Sequence, residues 1–191
     1  MAVVSIKNKL RRGNLLVGNE AYIPTSFESI ATVTVSGSNV SSITFSSIPS
    51  TFTHLQIRAF LVSGLSANNQ FRFNGDGGNN YTWHQIQGDG SSASAYASNP
   101  TSNPPWGLNN GNSSYPMASI IDILDYANTN KYKTVRTLSG NDGTGTTASR
   151  IGLYSGMWMS TSAITSIALT NDFGSTIAPN SHFALYGIKG A

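Results

Sequence analysis

The sequence predicts an all-β protein: a jelly-roll-like antiparallel β-sandwich over residues 26–191, preceded by an extended N-terminal arm over residues 1–25. Three observations predict it. Apolar side chains recur with period two in short runs, the spacing that places them on one face of a strand. The chain holds 28 Ser, 18 Thr, 19 Asn and 19 Gly, and they gather between those runs, where turns need them. Charged residues are 10% and hydrophobic ones 39%, a balance unlike that of a disordered chain and sufficient for one core.

The arm comes first. Lys7, Lys9, Arg11 and Arg12 fall within six residues, and no acid precedes Glu20. From residue 13 onward the chain carries 7 basic and 8 acidic residues, so the basic character of the protein belongs to the arm. Ile6, Leu10, Leu15 and Leu16 interleave with those charges as apolar anchors. Four charges are a small electrostatic footprint, so nucleic acid is not the expected partner, and a docking peptide for a protein surface is. The opening residues have no apolar core of secretory length, and no run of 18 apolar residues follows, so neither a leader nor a membrane span is expected.

Ten strand candidates follow. In residues 29–35, Ile30, Thr32 and Thr34 fall on one face and Ala31, Val33 and Val35 on the other. Residues 41–48 come next, then residues 54–62, where Leu55, Ile57, Ala59 and Leu61 share a face. Residues 70–73, 81–87, 118–126, 131–139, 149–159, 163–170 and 182–188 complete the set. Residues 118–126 also fit helical spacing, but a preceding Pro and a following Asn-Thr-Asn turn favour a strand. Residues 88–114 show no period and read as one 27-residue loop, a length usually tied to function. The last run, FALYGIKG, reads as the strand that closes the sandwich.

Chemistry is sparse. The chain has no Cys, hence no disulfide and no thiolate ligand or nucleophile. His54, His84 and His182 sit in strand patterns, and no Gly-x-Ser-x-Gly elbow accompanies them. The two glutamates, Glu20 and Glu28, lie beside the arm, which leaves no obvious carboxylate pair for glycoside hydrolysis. The Gly-rich segment GTGTTAS lacks the Gly-Lys-Ser/Thr ending of a phosphate loop. No catalytic role and no cofactor are expected. Asn74, Asp76 and Asn79 in NGDGGNN offer oxygen donors of the kind calcium takes. The same residues equally satisfy a tight hairpin turn. Trp106, beside Pro104 and Pro105 and near Tyr96 and Tyr115, is a candidate for stacking on a glycan ring. The competing role for Trp106 is to pin its loop to the sandwich, since large aromatics normally bury most of their area. Trp83 and Trp158 lie in strand patterns and read as core.

Long segments carry a family resemblance: FESIATVTVSG, SSITFSSIPSTFTHLQIR, RFNGDGGNNYTWHQIQGDGSS, IIDILDYANTNKYKTVRTLSG, SGMWMSTSAITSIALT and FALYGIKG. With the arm KNKLRRGNLLVGNEAY, the chain resembles a family of tailed-phage virion structural proteins found in marine and cyanobacterial phages, of head-decoration, cement or fibre type. The resemblance spans nearly the whole sequence and brings no catalytic residues with it. It implies a capsid decoration protein at the particle surface, made in the host cytoplasm and docked by its arm on the major capsid protein or another virion protein. A homo-oligomer is expected, a trimer first, because structural proteins of this kind assemble with closed symmetry. The alternative it implies is a fibre or spike module that recognises host-surface glycans.

Overall fold

The computed structural model of the chain describes residues 16–17, 20–21, 26–62, 69–102, 104–107, 115–143, 149–171 and 175–190. The described residues form strands without a helix. A two-residue pair, β1 (Leu16–Val17) with β2 (Glu20–Ala21), precedes the body. The body runs β3 (Phe27–Thr34), β4 (Ser42–Phe45), β5 (His54–Leu61), β6 (Asn69–Phe73), β7 (Tyr81–Gly88) and β8 (Ala93–Thr101). It continues with β9 (Pro105–Gly107), β10 (Met117–Leu124), β11 (Lys133–Asn141), β12 (Arg150–Trp158), β13 (Ile167–Asn171) and β14 (His182–Ile188). Eight strands make a large antiparallel sheet in the order β3-β14-β5-β10-β11-β12-β7-β8, and four make a small one, β4-β13-β6-β9.

The core lies between the sheets. Leu55, Ile57, Ala59 and Leu61 of β5 are all buried, as their spacing predicts, and Ile121, Ile123, Val135, Tyr154, Phe183 and Leu185 join them. Across the gap, Ile43, Phe45, Phe71, Phe73, Ile167 and Leu169 of the small sheet meet this face. The Phe73 and Trp158 rings approach to 5.6 Å between centroids, and Phe71 meets Tyr81 edge-on at 6.0 Å. At β9 the layers close further, for a Cβ on Gly107 would stand 3.0 Å from the Ser139 hydroxyl. Burial pushes the Tyr81 phenol up to about 12, and its O–H donates to the Asp76 carbonyl.

All ten expected strands are present, and four expectations need correction. Residues 88–114 are not one loop, for they contain β8 and β9. The segment carries no apolar period because β8 is an edge strand with most side chains exposed. NGDGGNN is no hairpin: it carries the chain from β6 in the small sheet to β7 in the large one. Ile30 does not stay with Thr32 and Thr34, because the β3–β14 register shifts beside Leu185 and lets Ile30 and Ala31 both pack on the core. Trp158 is core, whereas Trp83 is half-buried, opposite Ser98 of the edge strand. The last strand, β14, lies inside the sheet between β3 and β5, and Gly187 leaves the space there that the Phe52 ring occupies.

Candidate interaction surface

Alternation sends every second residue of the large sheet away from the core. In β10, Met117, Ser119, Ile121 and Ile123 point inward, while Ala118, Ile120, Asp122 and Leu124 point out. Strand register then lines the outward residues up in rows that cross the sheet. The first row is Phe60, Ala118, Gly140, Ile151, Gly88 and Ala93. The second is Arg58, Ile120, Leu138, Leu153, Ile86 and Ala95. The third turns polar: Gln56, Asp122, Arg136, Ser155, His84 and Ala97.

The two apolar rows hold six large side chains, Phe60, Ile86, Ile120, Leu138, Ile151 and Leu153, each between 41% and 62% exposed. With about half of each side chain in water, the patch is on the order of 600 Å², the top of the range found on ordinary monomers. A shallow groove of about 310 Å³ runs through it between Ile86, Gly88 and Ala93 on one side and Leu138, Ile151 and Leu153 on the other. Arg58, the one charge in these rows, is drawn sideways. Its guanidinium lies 5.5 Å from the Phe27 ring centroid and 5.7 Å from that of Tyr186, and the two rings stack at 4.8 Å. In the polar row, Gln56 Nε2 donates to Asp122 Oδ1 at 2.8 Å and Arg58 Nε donates to Gln56 Oε1 at 3.1 Å.

The residues singled out from sequence fall elsewhere. Ile6, Lys7, Lys9, Leu10, Arg11, Arg12 and Leu15 lie outside the described residues, and Leu16 is placed by its backbone pairing with Ala21. Trp106 belongs to β9 of the small sheet, Tyr96 is exposed on β8 of the large sheet, and Tyr115 precedes β10. The three aromatics are thus spread over separate elements.

Asp76 and Asn74 have their oxygens engaged by donors. The Asp76 carboxylate accepts the Trp158 indole N–H at 2.7 Å, the Asn80 amide at 3.0 Å and the Gly78 N–H at 2.8 Å. The Trp158 hydrogen bond, helped by Asn80 and Gly78 and opposed by burial, holds the Asp76 pKa below the usual carboxylate value. Asn74 Oδ1 accepts from the backbone N–H groups of Thr165 and Ser166. A cation at this turn would have to displace these donors, so the residues act here as the clasp of an inter-sheet crossing.

The other ionisable groups also hold turns. Asp125 accepts Lys131 Nζ at 2.5 Å, which lowers its pKa, and its backbone N–H donates to His54 Nδ1 at 2.9 Å. Lys133 is fully buried, and its Nζ donates to the carbonyls of Asn128, Lys131 and Thr161. Burial pushes the Lys133 pKa down, opposed by the nearby Asp125 charge. Asp89 is held low by the backbone N–H groups of Ser91 and Ser92, in a short loop joining β7 to β8. Among the described residues no three His, Cys, Asp or Glu side chains come together as a metal site.

The apolar patch leaves a local mark in the sequence. Doublets such as Ile120–Ile121 and Leu153–Tyr154 put large apolar groups on both parities of one strand, the sign of a strand meant to be covered on both faces. No family model, curated protein or solved structure matches the chain.

Proposed function

We propose that this chain is a non-enzymatic structural protein of a tailed-phage particle, a decoration or cement protein that binds the assembled shell and stabilises it by mass action. The single observation that carries this reading is the broad apolar patch on the large sheet, a surface suited to assembly with further protein copies. Supporting it are the near-neutral body and the concentration of basic charge in the arm over residues 1–25. A ligand that binds the assembled shell and not its separated subunits shifts the equilibrium toward the shell in proportion to its affinity. In this reading the arm grips the shell through Ile6, Leu10, Leu15 and Leu16 with Lys7, Lys9, Arg11 and Arg12, and the body covers it.

Gold-labelled antibody against the body, applied to intact particles of the encoding phage, tests the reading. Label spread over the head supports a decoration protein; label at the tail tip supports the fibre module instead; absence of label from every particle overturns both. Co-sedimentation of particles with a chain lacking residues 1–25 then tests the arm. Loss of binding with an unchanged circular dichroism spectrum is expected, and retained binding removes the arm from the mechanism.

A further inference from the structure

The geometry points to a second copy of this chain as the cover of the apolar patch: two large sheets stacked outer face to outer face, about a two-fold axis that runs parallel to β11 and passes over Leu138 and Gly140. This rests on the assembly role proposed above and gives that role a specific interface.

The first row carries the argument. Its members lie on successive strands about 4.8 Å apart, and over the five strands from β5 to β7 Gly140 of β11 is the middle, with Phe60 two strands to one side, Gly88 two strands to the other and Ala93 one strand beyond Gly88. Rotation about an axis along β11 sets Phe60 of one copy over Gly88 of the other, at the apolar groove. It sets Ala118 over Ile151 and Gly140 over Gly140. Phe60 and Ile151 thus each meet a small residue, and the two sides of the axis exchange roles, as an isologous interface requires. In the second row Ile120 meets Leu153 and Leu138 meets its own copy, so the centre is apolar throughout.

The rim agrees with the same axis. Arg136 of the two copies meet at the polar row, and Asp122 of each lies one strand from Arg136 of the other, so opposite charges flank the like pair. Gln56 comes opposite His84. Arg58 comes opposite Ile86, and its guanidinium is already directed away over Phe27 and Tyr186. In area, about 600 Å² of apolar surface plus this rim approaches the roughly 800 Å² per partner of a standard specific interface.

The chain has no Cys, which gives a clean background for cross-linking. Sedimentation velocity of the full chain across micromolar concentrations is expected to show a dimer. Leu138→Cys, on the axis, is expected to form a disulfide-linked dimer under a mild oxidant. Phe60→Cys mixed with Gly88→Cys is expected to give the mixed pair, and Thr44→Cys, exposed on the small sheet, no cross-link. Ile151→Lys is expected to leave a folded monomer, with Thr44→Lys as a dimeric control for added charge. A monomer at every concentration, a trimer, or a dimer that survives Ile151→Lys without the Leu138→Cys cross-link overturns the pairing. The two readings fail separately: a monomer that still labels particle heads overturns the pairing alone, while a cross-linked dimer absent from every particle supports the pairing and overturns the virion role.

Discussion

The two faces of the eight-stranded sheet are built from the same strands and are both apolar across the middle, yet one is covered within the chain and the other is not. On the inner face Ile121 sits among Ile57, Val135 and the small sheet, at 2% exposure. On the outer face its neighbour Ile120 lines up with Leu138, Leu153 and Ile86, with no second layer above them among the described residues. An antiparallel sheet normally pairs a buried apolar face with a solvated polar one. Here that alternation holds in the row of Gln56, Asp122, Arg136 and His84 and fails in the two apolar rows beside it. The difference teaches that the small sheet decides which apolar residues stabilise the monomer, and that the remainder are available for association.

The comparison breaks most sharply at the doublet itself. Ile121→Ala, on the covered face, is expected to cost about 3 kcal/mol of folding stability, through lost transfer energy and the cavity left behind. Urea unfolding in the monomeric Ile151→Lys background reads it directly. Lys133→Met asks whether a buried polar anchor matters as much as apolar packing. It strips the donor from three carbonyls at the end of β11 and is expected to cost about 2 kcal/mol by the same measurement.

Asp76 sharpens the comparison through pH. Its native pKa lies below that of the unfolded chain, so its stabilising contribution is present above about pH 4 and is lost as pH falls through the native value. Asp125 acts with the same sign. Asp76→Asn is expected to cost about 1.5 kcal/mol at pH 7 and progressively less toward pH 2, so that wild type and variant unfold at converging urea concentrations in acid. A constant difference across that range would contradict the assignment. The smallest effect belongs to the uncovered face. Ile120→Ser is expected to cost about 1 kcal/mol of monomer stability, well under the cost of Ile121→Ala, because Ile120 keeps 41% of its surface in water and leaves no enclosed cavity. A loss comparable with that of Ile121→Ala would mean that the outer face is covered within the chain after all.

Period-two runs made ten strands legible, and the clearest of them, with Leu55, Ile57, Ala59 and Leu61, has its predicted face buried. β8 was not legible, because an edge strand exposed on both faces carries no apolar period and is fixed by its pairing with β7. The crossing at Asn74 and Asp76 shows the same limit. Positive φ at Asn74 and Gly75 was predictable from residue type, but the destination of the chain after the turn was not. For the interaction surface, the doublets at Ile120 and Leu153 were visible, but their meaning depends on register. A shift of one residue in any pairing would have scattered those side chains over both faces.

The sequence by itself determined that this chain is all-β, that its body is nearly neutral, that its basic charge sits at one end, and which residues of most main strands share a face. These follow from local rules: backbone propensity, turn chemistry and the two-residue repeat of a strand. Only the tertiary structure decided which face of the large sheet the small sheet covers, and that Phe60, Ile120, Leu138, Leu153, Ile151 and Ile86 come together on the other. Alternation assigns a residue to a side of its own strand. Only the pairing of five strands, in register, turns those sides into a surface.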